Sequence, residues 1–135
     1  MNFERINPPE LAKPAGFTHA VRASGTTTVH LAGQTALDGS GRVVGSGVVE
    51  QFERALGNLL TALQAAGGEP HHLASMTVYI VDMDDYKAHA QQIGTVWRRL
   101  VGREYPAMAA IGVARLWDAE ALVEVQGVAE LPNPN

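Results

Sequence analysis

Apolar residues recur along this chain at two spacings, and the switches between them mark out its elements. Phe52, Leu56, Leu59, Leu60 and Leu63 fall at i, i+4, i+7, i+8 and i+11, so one stripe of a helix from about Val48 to Ala66 carries all five. Gly67-Gly68 supplies its stop, because glycine adopts the left-handed conformation after a helix at little cost. A second stripe, Tyr86, Ile93, Trp97 and Leu100, predicts a helix to about Val101, capped by Asp82 or Asp84 and closed by Gly102. Short runs rich in β-branched and apolar residues predict strands at His19–Ala23, Thr27–Gly33, Ser75–Val81, Ala107–Ala114 and Leu122–Ala129. Gly25 reads as the turn of a hairpin joining the first pair. Phe3–Ile6 suits a short edge strand and Arg42–Val44 another, whereas Pro8-Pro9 and Pro14 keep the chain irregular up to Gly16.

The order β-β-α-β-α-β-β points to an α+β fold, with both helices packed on one face of a mixed sheet. In the last strand Val123, Val125, Gly127 and Ala129 form a small apolar face suited to lie under helices, while Leu122, Glu124, Gln126 and Val128 point the other way. That second face is too apolar to leave open and too polar for an ordinary core. It predicts an oligomer with clefts between subunits.

Composition narrows the function classes. A chain of 135 residues, 46% apolar, fits a single domain spanning 1–135. Its net charge of -4, with no basic stripe, sets nucleic acid aside as a partner. The absence of cysteine removes disulfides, thiolate nucleophiles and Cys-ligated metals. The longest apolar stretches, Met76–Val81 and Ala107–Ala114, fall well short of the roughly 20 residues of a membrane-spanning helix. Without a basic start followed by an apolar run at Met1–Arg5, no secretory signal is visible, and a cytoplasmic protein is expected.

Familiar nucleophile and nucleotide motifs are missing: there is no G-x-S-x-G, no P-loop, no H-E-x-x-H and no complete G-x-G-x-x-G. Gly39, Gly41, Gly45 and Gly47 have loop rather than phosphate-cradle spacing. His71 and His72 sit in a loop beside Pro70, His19 and His30 belong to separate strands, and Asp82, Asp84 and Asp85 suit a helix N-terminus. No metal and no cofactor is therefore expected. Glu124 stands apart as a mid-strand carboxylate on the face that needs a cover, open to two roles: catalysis, or a structural pair with a residue such as Arg115.

An ordered set of short motifs carries a resemblance that runs nearly end to end. It comprises Asn7-Pro8, Gly16-Phe17, Leu31-Ala32-Gly33-Gln34-Thr35, Gln51, Ala55-Leu56-Gly57-Asn58-Leu59, Ala65-Ala66-Gly67 and Thr77-Val78-Tyr79-Ile80 with Asp82-Met83-Asp84-Asp85-Tyr86. Tyr105-Pro106-Ala107, Val113-Ala114-Arg115-Leu116 and Val123-Glu124-Val125 complete it. The sequence thus resembles the RidA/YjgF enamine/imine deaminase family, also known as the L-PSP endoribonuclease family. The resemblance implies a chorismate-mutase-like fold and a homotrimer with a central barrel and intersubunit clefts.

The resemblance also implies a site. Glu124 matches the glutamate that helps place the attacking water, and Gly33 matches the glycine whose backbone lines the pocket. Phe17 stands where a tyrosine is frequent, Ala90 where the family has asparagine, and Ala109 and Ala110 where it has small polar residues. Met108 occupies the position of the arginine that grips a substrate carboxylate. Losing that charge-assisted fork should cost a carboxylate ligand about 2–5 kcal/mol. Glu124 is thus the expected catalytic residue, and Phe17, Gly33, Met108, Ala109 and Trp117 the expected substrate-binding set, around a neutral, aromatic or cationic small molecule. Hydrolysis of an enamine or imine is the first reading. The alternative is a non-catalytic trimeric small-molecule binding or regulatory protein, and endoribonuclease action is a distant third.

Overall fold

A computed structural model describes residues 1–134 of the chain. Strand β1 (Asn2–Ile6) pairs antiparallel with β2 (Ala20–Ser24), and β3 (Thr26–Gln34) follows at once. After a loop come α1 (Val48–Ala65), a single 3-10 turn at Pro70–His72, and β4 (Leu73–Ile80). Helices α2 (Met83–Ala88) and α3 (Ala90–Leu100) then lead to β5 (Ala107–Gly112) and β6 (Val123–Pro132). The four-stranded sheet has the order β3-β6-β4-β5, mixed because β4 and β5 run parallel. The α+β class and the mixed sheet agree with the sequence. Among the described residues, no helix is long and apolar enough to cross a membrane.

The core lies between one sheet face and the helices. Phe52, Leu56, Leu59 and Leu63 of α1 are fully buried against Val78 and Ile80 of β4 and Val123 and Val125 of β6, so the predicted stripe is the packed one. Helix α1 ends as its glycines require. Gly67, at φ +90°, donates to Gln64 O at 2.9 Å, and Gly68 donates to Leu63 O at 3.0 Å, which satisfies two carbonyls of the last turn. Gln51 is buried and does structural work: its Nε2 donates to Glu120 O at 3.1 Å while its Oε1 accepts from Leu122 N–H at 2.8 Å. That clamp fixes the start of β6.

Three local expectations need correction. The Gly25 hairpin does not form, because β2 pairs with β1 and β3 pairs with β6. Gly25, at φ +67°, is instead the corner where the chain leaves one sheet for the other. The second predicted helix is broken at His89, whose φ of -108° and ψ of 18° end α2 before α3 begins. Its Nδ1 lies 2.8 Å from Asp85 O, so the side chain occupies a carbonyl at the break. Arg42–Val44 contributes only an isolated bridge, Leu37 to Val43, rather than a strand.

Candidate functional site

Strict alternation in β6 decides which side chains reach which face. Val123, Val125, Gly127 and Ala129 are buried under the helices, while Glu124, Gln126 and Val128 face away. Tyr79 of β4 sits opposite Glu124 and donates its hydroxyl to Gln126 Oε1 at 2.8 Å, so both strands share this open face. Ile111 of β5 is exposed beside them, in register with Tyr79. Within one chain this face has no cover.

Glu124 is half-buried on that face, and its carboxylate packs directly on Gly33. A Cβ built on Gly33 would overlap Glu124 Oε2 and lie 3.0 Å from Cδ, so only glycine leaves room for the acid there. The structural pairing weighed for Glu124 is not seen among the described residues. Arg115 turns its guanidinium to the carbonyls of Leu116 and Trp117, each at 3.1 Å. Ion pairs join Arg5 to Glu104, Arg22 to Glu4 and Arg99 to Glu53, and none reaches Glu124.

Met108 is placed elsewhere. It is in register with the buried Met76 on the helix-facing side of the sheet, whereas Glu124 is in register with Tyr79 on the other side. Phe17, Met108 and Ala109 come together in a cavity of about 460 Å³ between β5 and α2–α3, with Ala90 and Ala110 also in its wall. Gly33 and Glu124 do not line that cavity. Trp117 is 92% exposed on the loop before β6 and does not line that cavity. One chain therefore holds the expected site residues as two halves: a carboxylate on glycine, and an aromatic cavity.

Further side chains complete the cavity. Tyr86, Trp97, Arg98 and Tyr105 all line it. Tyr86 is edge-on to Phe52 at 6.3 Å, and Trp97 stacks on Tyr105 at 5.2 Å while donating from Nε1 to Glu104 O at 3.2 Å. Burial pushes the Tyr86 phenol up to about 12, so it stays protonated at any ordinary pH. A signal for this wall was present: Tyr86, Ala90, Gly94 and Arg98 recur every fourth residue, with small side chains in the middle leaving a trough. Arg98, exposed on α3, is the charged side chain among the lining residues, and position 108 has none.

Other clusters have structural explanations. Asp82 caps α2, accepting from Asp85 N–H at 3.0 Å, as its spacing predicted. His19 Nε2 lies 2.8 Å from Ala12 O, tying down the proline-rich segment. Glu69, His71 and His72 are close together, but His72 Nδ1 accepts from Glu69 N–H at 3.0 Å in a capping arrangement around the 3-10 turn. A separate hollow of about 650 Å³ beside α1 contains Arg99 and Glu53, which neutralise each other.

The family model described as Endoribonuclease L-PSP matches residues 9–131. The RutC family protein UK114 of Drosophila melanogaster is 32% identical over 126 residues, covering 92% of this chain and 86% of that protein. The 2-iminobutanoate/2-iminopropanoate deaminase of Mus musculus is 34% identical over 103 residues, covering 76% of this chain and 73% of that protein. Among solved structures, a Rid-family protein of unknown function from Yersinia pestis aligns at a TM-score of 0.86 and 32% identity, covering 97% of this chain and all of that one.

Proposed function

This chain belongs to the Endoribonuclease L-PSP family, which includes RidA/YjgF relatives, and from that premise we propose that it is a metal-independent hydrolase of enamines or imines bearing an apolar or aromatic group. The working site is a cleft between copies in a homotrimer, one contributing the Glu124–Gly33 half and its neighbour the cavity beside Met108. A second copy seated on the open sheet face covers Ile111 and brings the two halves together.

The observation that carries this reading is Glu124: a half-buried carboxylate with no ion pair among the described residues, held on Gly33 at an uncovered face. Such a group is free to accept a proton from water. The water oxygen then adds to the C=N carbon, the acquired proton passes to nitrogen to give the carbinolamine, and transfer of its hydroxyl proton to nitrogen through the carboxylate lets the C–N bond break, releasing ammonia and leaving a carbonyl compound. An enamine enters the same sequence after protonation at carbon gives its imine. The deaminase relative supports the reaction class, and the aromatic cavity supports the larger substrate group.

The test is ammonia release from imines generated in situ, with acidic and neutral examples carrying small and aromatic substituents. Turnover that falls by about 100-fold or more in Glu124→Gln supports the proposal. Turnover insensitive to that change rules out Glu124 as the proton acceptor. Absence of turnover across the panel, together with stabilisation by small aromatic ligands, identifies the non-catalytic binding protein instead.

A further inference from the structure

The cavity beside Met108 has one charged side chain among its lining residues, Arg98 of α3, whose side chain is exposed at the surface. Among the described residues that guanidinium has no carboxylate partner. Its polar contact is Nη2 to Thr95 Oγ1 at 3.3 Å, a long bond to a neutral hydroxyl. Gly94, one turn earlier, leaves the space beside the guanidinium, since a Cβ there would lie 3.3 Å from Arg98 Nη1. The aromatic lining is Phe17, Phe52, Tyr86, Trp97 and Tyr105, with no acid among the lining residues. A cation without a counter-ion, set at an aromatic hollow of about 460 Å³, fits a ligand with an anionic end and a flat apolar body.

We infer that Arg98 supplies, from α3, the anion grip that Met108 cannot, and that the cavity selects small carboxylates carrying an aromatic or bulky apolar group. The inference rests on the reading that this cavity is the substrate half of the cleft. It names the substrate class: 2-imino acids with an aryl side chain ahead of those with a short alkyl one. Short members fill little of the hollow, and neutral members leave Arg98 unused.

Calorimetric titration of the full-length protein with 3-phenylpropanoate, its amide and propanoate tests this directly. In the wild-type chain the acid should bind about 10- to 100-fold more tightly than the amide, and propanoate should be the weaker of the two acids. Arg98→Gln should erase the acid-over-amide preference, while Arg98→Lys should keep part of it. Equal affinities for acid and amide in the wild type, a preference that survives Arg98→Gln, or binding of neither ligand each overturns the inference. The two proposals fail separately. Acid preference without Glu124-dependent ammonia release removes the hydrolase reading alone, and Glu124-dependent release without acid preference removes the role of Arg98 alone.

Discussion

Adding one methyl group at Gly33 should disable the site while leaving the fold intact. In Gly33→Ala the new Cβ would overlap Glu124 Oε2 and stand 3.0 Å from Cδ and 3.4 Å from Cγ, so the glutamate side chain must swing aside. A rotamer displaced in this way costs about 0.5–1.5 kcal/mol. Alanine also restricts the unfolded chain, which returns about 0.4–1 kcal/mol where the backbone conformation is compatible, and Gly33 is not at positive φ. The net change in stability is therefore within about 1 kcal/mol, a shift in Tm of only a few degrees. Moving the carboxylate by roughly 1 Å, by contrast, costs on the order of 100-fold in turnover. The assay pairs a thermal melt with ammonia release from an aromatic imine, alongside Glu124→Gln. A near-native Tm with activity as low as that of Glu124→Gln is the expected result. Full activity in Gly33→Ala would refute the coupling between the glycine and the acid.

The remaining expectations address packing and protonation. Gly127→Ala puts a Cβ 2.9 Å from the backbone oxygen of Ser75 and 3.0 Å from Met76 Cγ, and the strand carbonyl cannot rotate away, so thermal melts should show about 1–3 kcal/mol of destabilisation. Burial and the neighbouring His71 hold the His72 imidazole below its usual value of 6.5, partly opposed by Glu69. The unfolded chain then binds that proton first as pH falls, so His72 contributes stability above about pH 6.5 and loses it down to its lowered native value. Melts of wild type and His72→Gln from about pH 8 to 5 should therefore converge on the acid side, and a constant gap would contradict the assignment. Tyr86, raised to about 12, should be a late-ionising phenol in an alkaline absorbance titration and should lose that late step in Tyr86→Phe.

Legibility in the sequence followed the range of the interactions involved. The stripe of α1, its glycine stop and the alternation of β6 are local periodicities, and all can be read directly. Gly25 was misread because a glycine corner looks the same whether the flanking strands pair with each other or with Ile6 and Val128 far along the chain. His89 interrupts an unbroken helical pattern through one local conformation that no periodicity records. At the site, Glu124 and Gly33 were identifiable singly, but their contact arises across the β3–β6 pairing and its bulge. The assignment of Met108 and Glu124 to opposite faces depends on how β5 and β6 register on β4, which neither strand encodes alone. Arg98 is exposed on α3, and nothing local in the sequence sets it apart from the other surface arginines until α3 is packed beside the cavity.

Whether the two halves cooperate across subunits is best tested by mixing inactive chains. Glu124→Gln spoils the acid half, and Ala110→Trp fills the cavity half; each alone should release no ammonia from an aromatic imine. Unfolded together in equal amounts and refolded, the variants should form trimers in which about a quarter of the clefts combine an intact cavity with an intact Glu124, restoring about a quarter of wild-type activity. A mixture as inert as its components would mean that the carboxylate and the cavity do not meet between copies.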